Sequence, residues 1–434
     1  MDERLKIDRR RFMLGAATLA TTAGLAACGT SLGGSSGSGG GNSGAKVTLT
    51  QYYHEYGEAG TEQAVKRYAQ EYTSKHKNVT INVEWVPGTY ATKLNTALAG
   101  PNPPDIYETT PTLQMVEAKQ CAPLDDLYTS AEKADMFANV LAANTINGHI
   151  YGAKIVTDVG LLYYRKSMLK SAGVKPPTTT DELVTAARKL TSGKVKGLFA
   201  GDDGGVAALY ELLIQANGVD LITNNKVAFA TPAAAEALQA LVQLNQQGSV
   251  LTGYQPDYLE PNAFNNGLCA MQWTGLWVMP ELTVGDDYGV LPFPAVSSAG
   301  KPVTFLGGWS ECVYGKGPHV DEAKKFVQWL WIKNKQAQLQ FNTAYGYHLP
   351  GFKSVAKQAQ SGKLNKPQAK AAIEILDKYG VYSPPSWDTD INTTYTNAVA
   401  AIVQNRQSTA QALATLQQAQ SQAQSQLKSE LGAS

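Results

Sequence analysis

The feature that most constrains the fold is a strand, a helix and a second strand that follow one another. Val47–Tyr53 has the composition of a β-strand, and the apolar residues of 60–76 recur on one helical face. Val79–Trp85 then alternates strictly between apolar and polar residues. A β-α-β order with short connections requires parallel strands joined by a right-handed crossover. The sequence therefore predicts an α/β fold built on mostly parallel sheets flanked by helices.

Further α/β units follow along the chain. Asp181–Leu190 is predicted to form a helix capped by Thr180, and Thr231–Gly248 a helix with proline at its first position. Leu268–Trp273 is a strand of buried type, and Asp321–Lys335 is an amphipathic helix. With 434 residues, the chain is long enough for two or three domains.

The N-terminus has the pattern of an export signal. Arg9–Arg11 is followed by Phe12–Ala27, an uncharged apolar stretch too short for a membrane span, so residues 1–27 are predicted to be a signal peptide. Leu25–Cys28 resembles the lipobox of bacterial lipoproteins, which implies that Cys28 is a lipid anchor on the outer face of the cytoplasmic membrane. The alternative is an ordinary secretory signal with a chance cysteine.

The export route is left open by the charged block. Asp8–Met13 resembles the twin-arginine motif, whose pathway moves folded proteins. Asp8 and Met13 depart from the preferred residues, so general secretion is the alternative route.

Residues 28–45 are predicted to form the lipidated cysteine and a flexible linker, because this stretch is almost wholly Gly and Ser. It contains a formal G-x-G-x-x-G at Gly39, Gly41 and Gly44. No strand precedes it and no helix follows, so we expect no dinucleotide there, and no other cofactor.

Charge and cysteine content exclude several classes of protein. The 37 basic and 36 acidic residues nearly cancel, which predicts no nucleic-acid binding. Cys121, Cys269 and Cys312 show no C-x-x-C and no neighbouring histidine pair, so we expect no metal site. Buried single thiols are favoured, and one disulfide is the alternative.

Polar residues follow several strands, where ligands meet an α/β sheet. His54, Glu55 and Tyr56 follow the first strand, and Glu108 follows the strand Asp105–Tyr107. Asp202 also ends a short strand. Asp158 interrupts an apolar strand near its start, where it either faces a cleft or caps a turn.

The tryptophans divide by context. Trp273, Trp277, Trp309 and Trp387 sit beside Gly or Pro turns, and we predict that they line a cleft together with Asp388. The remaining tryptophans lie in periodic strand or helix segments and are assigned to the core: Trp85, Trp329 and Trp331. Indole rings can stack on the apolar face of a pyranose while carboxylates bind its hydroxyls, so this combination favours a carbohydrate ligand.

The chain resembles the extracellular solute-binding proteins of bacterial ABC importers, in the sugar-binding group that includes maltose-binding protein. The resemblance covers nearly all of the chain after the export signal. It rests on the order and spacing of these motifs: Pro104–Ile106; Tyr151–Gly152 leading to Leu162–Lys166; Ala270–Met271 with Gly275 and Trp277; and Gly307–Gly308.

The resemblance implies two lobes with a ligand clamped between them. Lobe 1 would comprise 46–157 plus 308–350, and lobe 2 would comprise 158–307 plus 351–434. The hinge would cross near Val156–Asp158, Thr304–Gly307 and Leu349–Gly351. The resemblance also places Asp158 as a cleft acid, Trp277 as a sugar-stacking aromatic and, in a looser alignment, Trp387 as a second platform.

The family's maltodextrin binders carry an aromatic residue where this chain has Glu108 and Thr109, so a maltodextrin is not implied. We expect a monomer that captures a neutral oligosaccharide of two to four units and delivers it to the transmembrane subunits of an ABC permease. Alternatives are a binding protein for another small polar solute, an adhesin or scaffold without a small ligand, or a glycoside-acting enzyme using Glu55 and Glu108. The sequence lacks P-loop and H-E-x-x-H motifs, so we expect no enzyme activity.

On the resemblance, Cys269 falls in lobe 2 and Cys312 in lobe 1, so a bond between them would straddle the moving interface and we predict that they do not pair. Cys121 and Cys312 fall in the same lobe and can bond if their Cα atoms lie within about 7 Å.

Overall fold

The computed structural model describes residues 46–254, 260–296 and 300–432. The predicted signal peptide of residues 1–27, the Cys28 anchor and the linker to residue 45 lie outside the described residues. Within the described part, no helix has the length and apolar character needed to cross a bilayer.

The strands are short apart from four that run for seven or eight residues. In chain order they are β1 Val47–His54, β2 Val79–Val86, β3 Ile106–Thr109, β4 Thr145–Ile146, β5 His149–Ile150, β6 Ala153–Lys154, β7 Asp158–Arg165, β8 Lys196–Phe199, β9 Ile222–Thr223, β10 Lys226–Val227, β11 Cys269–Gly275, β12 Tyr288–Leu291, β13 Thr304–Gly307, β14 Ser310–Val313 and β15 Gly380–Val381.

Helices connect and cover these strands. They are α1 Thr61–Lys75, α2 Tyr90–Ala99, α3 Leu113–Glu117, α4 Ser130–Asp135, α5 Ala138–Ala143, α6 Lys166–Ser171, α7 Thr180–Leu190, α8 Val206–Ala216, α9 Pro232–Gln246, α10 Asn262–Asn265, α11 Val320–Val327, α12 Lys335–Ala344, α13 Lys353–Gln360, α14 Pro367–Tyr379, α15 Thr389–Gln404 and α16 Thr409–Gly432. Short 3-10 helices cover Asp125–Leu127 and Leu276–Glu281, and a π-helical turn covers Gln328–Lys333.

The first sheet has the strand order β2-β1-β3-β14-β6. β1 is parallel to β2 and to β3, as the β-α-β pattern predicts, and β14 is antiparallel to β3 and β6. Leu49 of β1 and Val65 of α1 are fully buried in the same core as Phe326 of α11 and Phe341 of α12. Helices α1, α11 and α12 therefore pack against this sheet in one core.

The second sheet has the order β15-β13-β7-β11-β8, with β12 also paired to β7. β8 is parallel to β11 and β15 to β13, whereas β7 is antiparallel to β11, β12 and β13. Helices α7, α8, α9, α15 and α16 pack around it in a second core. The α/β class with helix-flanked sheets is confirmed. The first sheet is mixed because β14 runs antiparallel to β3 and β6, and the second because β7 runs antiparallel to β11, β12 and β13.

Three segments that connect the sheets lie side by side. The backbones of Thr157 and Leu349 exchange hydrogen bonds of 2.8 and 2.9 Å, and Trp309 N donates to Val156 O at 3.1 Å. Gly308 has φ of 84°, and a Cβ there would come within 2.3 Å of Val156 O. Only glycine fits this close approach between two connecting segments.

Some element boundaries differ from expectation for local reasons. Thr179, not Thr180, caps α7, because its hydroxyl accepts from Glu182 N while the Glu182 side chain bonds back to the Thr179 backbone. The predicted helix Asp321–Lys335 is α11 followed by the π-helical turn, which rotates its final residues relative to an α-helix.

The three described cysteines are free and buried. Cys269 lies on β11 of the second sheet and Cys312 on β14 of the first. Cys121 and Cys312 belong to the same buried cluster, and the Cys121 Sγ lies 3.1 Å from the Tyr107 hydroxyl.

Candidate functional site

Two adjoining cavities, each of about 470 Å³, lie beside the connecting segments. The cavity that we name the hinge chamber is lined by Lys154 and Trp309 of the first-sheet side and by Asp158 and Trp277 of the second. The cavity that we name the distal chamber is lined by second-sheet elements, including Glu211 of α8 and Trp273 of β11. Five residues line both chambers: Trp277, Phe305, Tyr382, Ser383 and Trp387. Each volume lies within the usual range for small-molecule sites, about 300–1,000 Å³.

All four tryptophans placed at turns line these chambers. Trp309 borders the hinge chamber, Trp273 the distal chamber, and Trp277 and Trp387 border both. The Trp309 ring packs against the His54 ring at a tilt of 31°, with ring centroids 4.3 Å apart. Among the tryptophans assigned to the core, Trp331 is fully buried, whereas Trp85 and Trp329 are half-buried in packed clusters outside both chambers.

Trp273 and Trp387 have more restricted settings than a loop position suggests. Trp273 is nearly buried because its ring packs over Gly160 and edge-on to Phe293. Trp387 donates from Nε1 to Glu211 Oε1 at 2.9 Å. Both rings are therefore held rigidly as walls of the chambers.

Asp158 faces the hinge chamber and is joined to an ionic cluster. His348 Nδ1 lies 2.6 Å from Asp158 Oδ1, and His348 Nε2 lies 3.1 Å from Glu58 Oε1. Burial alone would lower the pKa of His348, but the charges and hydrogen bonds of Asp158 and Glu58 outweigh it and raise the pKa to about 10. The imidazole is therefore charged at neutral pH and donates from both nitrogens.

Lys154 is a second buried charged residue that lines the hinge chamber. The residue is 4% exposed, and its Nζ donates to the carbonyl of Gly307 at 2.8 Å. Burial lowers the pKa of Lys154 to about 8, against the opposing effect of Asp158. This bond links β6 of the first sheet to β13 of the second beneath the hinge chamber.

Glu108 lies in a network of its own. Its carboxylate accepts from the backbone and ring of His54 and from the Tyr56 hydroxyl, the last at 2.9 Å. Burial raises the pKa of Glu108, against the opposing effect of these donors. The carboxylate is thus fully buried behind His54, and His54 in turn lies behind Trp309.

Glu311 is directly opposite Glu108 across the β3–β14 pair and is equally buried. It accepts from Gln51 Nε2, Tyr53 Oη and Trp331 Nε1 at 2.7 to 3.1 Å. Burial, together with the charge of Glu108, raises its pKa to about 8 despite these donors. The carboxyl groups of Glu108 and Glu311 therefore form a buried polar cluster within the first sheet.

The two sides of the cleft also touch at its outer edge. Gln114 Nε2 of α3 donates to Asp388 Oδ2 at 2.6 Å, and Leu113 N donates to Pro385 O at 3.0 Å. Leu113 packs on the first-sheet side with Tyr107, whereas Asp388 caps α15 on the second-sheet side by accepting from Ile391 N.

The structure brings together about half of the residues that the sequence singles out. Six line one or both chambers: Asp158, Trp273, Trp277, Trp309, Trp387 and Asp388. Five line neither chamber in the described part: His54, Glu55, Tyr56, Glu108 and Asp202. His54 and Tyr56 support the wall through Trp309 and Glu108. Direct contact between any of these residues and a ligand stays a prediction.

Several lining residues were missed by the sequence reasoning. Lys154 lies in β6, Phe305 in β13 and Glu211 inside α8. Tyr382 and Ser383 precede Pro384. The Ser383–Pro385 turn beside Trp387 was the one usable signal, because turn residues near an aromatic often line a site. No group of metal-ligating side chains is found in the described ranges.

A sequence model of the family of bacterial extracellular solute-binding proteins matches residues 67–371. A probable ABC transporter-binding protein of Deinococcus radiodurans is 28% identical over 244 residues, which are 51% of this chain and 57% of that protein. The chain thus aligns with little more than half the length of that relative. The multiple sugar-binding protein of Streptococcus mutans is 22% identical over 80% of this chain and 84% of its own length.

Solved structures of sugar-binding proteins share the fold. The sugar-binding protein MalE of Xanthomonas citri superposes with a TM-score of 0.74 at 20% identity, covering 89% of this chain and 98% of that one. A solute-binding protein of Thermotoga lettingae bound with α-D-tagatose gives 0.71 at 22% identity, covering 88% and 100%. The two-lobed α/β fold is therefore confirmed.

Proposed function

Since the chain belongs to the family of bacterial extracellular solute-binding proteins, we propose that it captures a neutral oligosaccharide outside the cytoplasm. It delivers this ligand unaltered to the transmembrane subunits of an ABC permease. The protein acts as a monomer in this role.

The single observation that carries the proposal is the lining of the two chambers. Four tryptophans and Asp158 converge there, beside the segments that connect the two sheets. Indole rings bind the apolar face of a sugar ring, and carboxylates accept hydrogen bonds from its hydroxyls. The described lining also lacks the uniform charge that an anionic or polycationic ligand requires.

The lobe boundaries of this proposal are 46–157 plus 308–350, and 158–307 plus 351–434. Strand membership supports them, because the first sheet is built from strands between residues 47 and 154 together with β14. The hinge then consists of the hydrogen-bonded segments around Val156, Gly308 and Leu349. Closure around a ligand that touches both lobes favours the closed state, through contacts absent when the cleft is open.

Binding without chemistry is supported by the setting of the acids. Glu108, one of the two carboxylates considered for glycoside cleavage, is fully buried and accepts from His54 and Tyr56, while Glu55 is exposed. A glycosidase needs two carboxyl groups that flank one bond within a shared cavity.

The proposal includes attachment to the outer face of the cytoplasmic membrane through a diacylated Cys28. The lipobox-like Leu25–Cys28 and the Gly/Ser-rich linker support it. In the native host, Cys28→Ser is expected to release the protein from the membrane fraction. Retention of the variant on the membrane contradicts the lipid anchor.

A calorimetric panel of neutral mono- to tetrasaccharides tests the ligand class, with amino acids, polyamines and phosphates as comparison ligands. We expect at least one oligosaccharide to bind and to raise the melting temperature. Chromatography of the recovered sugar should show it unchanged. Binding of comparison ligands alone contradicts the carbohydrate proposal, and cleaved sugar contradicts the transport role.

A further inference from the structure

Phe305 stands out among the described residues as the one large hydrophobic side chain that is exposed, at 44%. Its neighbours Thr304 and Leu306 on β13 are buried. The ring does not belong to a loose loop, because β13 pairs with β7 on one side and with β15 on the other. A paired strand therefore holds this aromatic ring in contact with solvent where it lines the chambers, and aromatic side chains commonly line small-molecule sites.

The position of the ring is as specific as its exposure. Phe305 lines both the hinge chamber and the distal chamber, so it lies at their junction. The ring lies over Gly307, where an added Cβ would come within 2.1 Å of its Cζ atom. A side chain at residue 307 would displace the ring from the junction.

The chambers on either side of Phe305 offer different partners. The hinge chamber presents Asp158 and Trp309. The distal chamber presents Glu211, whose carboxylate accepts from Ser383 Oγ at 2.7 Å and from Trp387 Nε1. Asp388 also lines the distal chamber, so each chamber combines at least one carboxylate with aromatic rings, the pairing of groups that suits a sugar unit.

We infer that Phe305 is a specificity-determining residue, which stacks on the sugar unit at the junction and selects oligosaccharides long enough to occupy both chambers. This inference rests on the proposed carbohydrate ligand. A sugar confined to one chamber covers only one side of the Phe305 ring and leaves the rest in water. A longer sugar covers the ring with its apolar face and removes that surface from solvent.

The test compares Phe305→Ala and Phe305→Tyr with the wild-type protein in titration calorimetry. The probes are glucose, mannose, maltose, mannobiose, maltotriose and mannotriose. We expect Phe305→Ala to weaken binding of the longest sugar that the wild type binds by tenfold or more, and of the shortest by less than threefold. Phe305→Tyr keeps the stacking face and should stay within threefold of wild type for both.

Thermal unfolding of both variants controls for misfolding. An exposed side chain contributes little to stability, so the melting temperatures should stay within about 2 °C of wild type. Trp329→Ala removes a half-buried ring outside both chambers and should leave the dependence on sugar length unchanged.

Each remaining outcome contradicts a specific statement. Equal losses for all sugar lengths, or no loss in Phe305→Ala, overturn the role of Phe305 and leave the carbohydrate proposal intact. If the wild type binds one sugar length only, equal affinities of the Ala and Tyr variants overturn the inference. A wild-type protein that binds none of these sugars and none in the wider panel overturns the proposed function, and the inference with it.

Discussion

His348 Nδ1 lies 2.6 Å from Asp158 Oδ1, and this contact joins two of the three segments that connect the sheets. Glu58 holds the other ring nitrogen, so one imidazolium is bound between two carboxylates. Tyr56 packs edge-on against the same ring. The negative charge of Asp158 also raises the pKa of Lys154, against the larger effect of burial. The contacts between these connecting segments therefore depend on the protonation state of His348.

The stability lost on replacing His348 should depend on pH in a defined direction. The pKa of about 10 in the folded state lies above the ordinary value of 6.5, so the charged ring contributes its full stabilisation below pH 6.5. That contribution is lost as the pH rises towards about 10. At pH 7 we expect His348→Gln to lower the unfolding free energy by roughly 3 kcal/mol, as for other broken buried ion pairs.

Urea denaturation of both proteins at pH 6, 8 and 10 measures this effect. The gap between wild type and His348→Gln should narrow as the pH rises. His149→Gln, which replaces an exposed imidazole, controls for loss of a histidine. A gap that stays constant or widens would show that the charged form of His348 is not the stabilising one.

Trp277→Ala should weaken ligand binding and leave the fold intact, because its ring is only partly buried and borders both chambers. Truncating an aromatic anchor commonly costs about 2 kcal/mol or more, which is roughly a 30-fold loss in affinity. Calorimetry with the best sugar of the panel and thermal unfolding measure the two effects separately.

Trp329→Ala is the matched control for Trp277. This ring packs against Tyr72 and Phe326 with centroids 5.3 and 6.2 Å apart, so its removal should lower stability by roughly 2 kcal/mol or more. Affinity should change little. Equal affinity losses in the two variants would refute the division of the tryptophans between cleft and core.

Gln114→Ala should shift the free protein towards a more open cleft. Its amide bonds to Asp388 at 2.6 Å across the outer edge, and a hydrogen bond of this kind contributes roughly 0.5–1.5 kcal/mol. Small-angle scattering of the ligand-free variant should give a larger radius of gyration than wild type, and saturating sugar should restore the smaller value. The exposed Gln63→Ala on α1 serves as control, and identical radii for all three proteins would contradict the role of this contact.

The cysteines give a prediction about pairing across the hinge. Cys269 and Cys312 lie on different sheets, so a bond between them would tie the two lobes together. We expect mass spectrometry of the unreduced, digested protein to find no such cross-link. Cys121 and Cys312 lie in the same buried cluster, so an oxidised fraction should be joined at that pair. A Cys269–Cys312 peptide would refute the lobe boundaries.

The sequence by itself determined the α/β class and the parallel start of the first sheet. Local pattern was sufficient there, because the alternation of Val79–Trp85 and the helical face of 60–76 specify each element. The same holds for the tryptophans at Gly and Pro turns, which all line the chambers. A Gly or Pro turn beside an aromatic residue is a local sequence pattern, so it can be recognised without knowledge of the tertiary structure.

Only the tertiary structure decided which acids face the cavities. Glu108 lies near the end of β3, yet its carboxylate accepts from His54, the last residue of β1, and from Tyr56, which follows β1. Glu211 lies within a helix and lines the distal chamber because α8 packs against the turn that carries Trp387. The difference depends on hydrogen-bond partners 52 to 176 residues away in the chain, and a local pattern contains no information about groups at that separation.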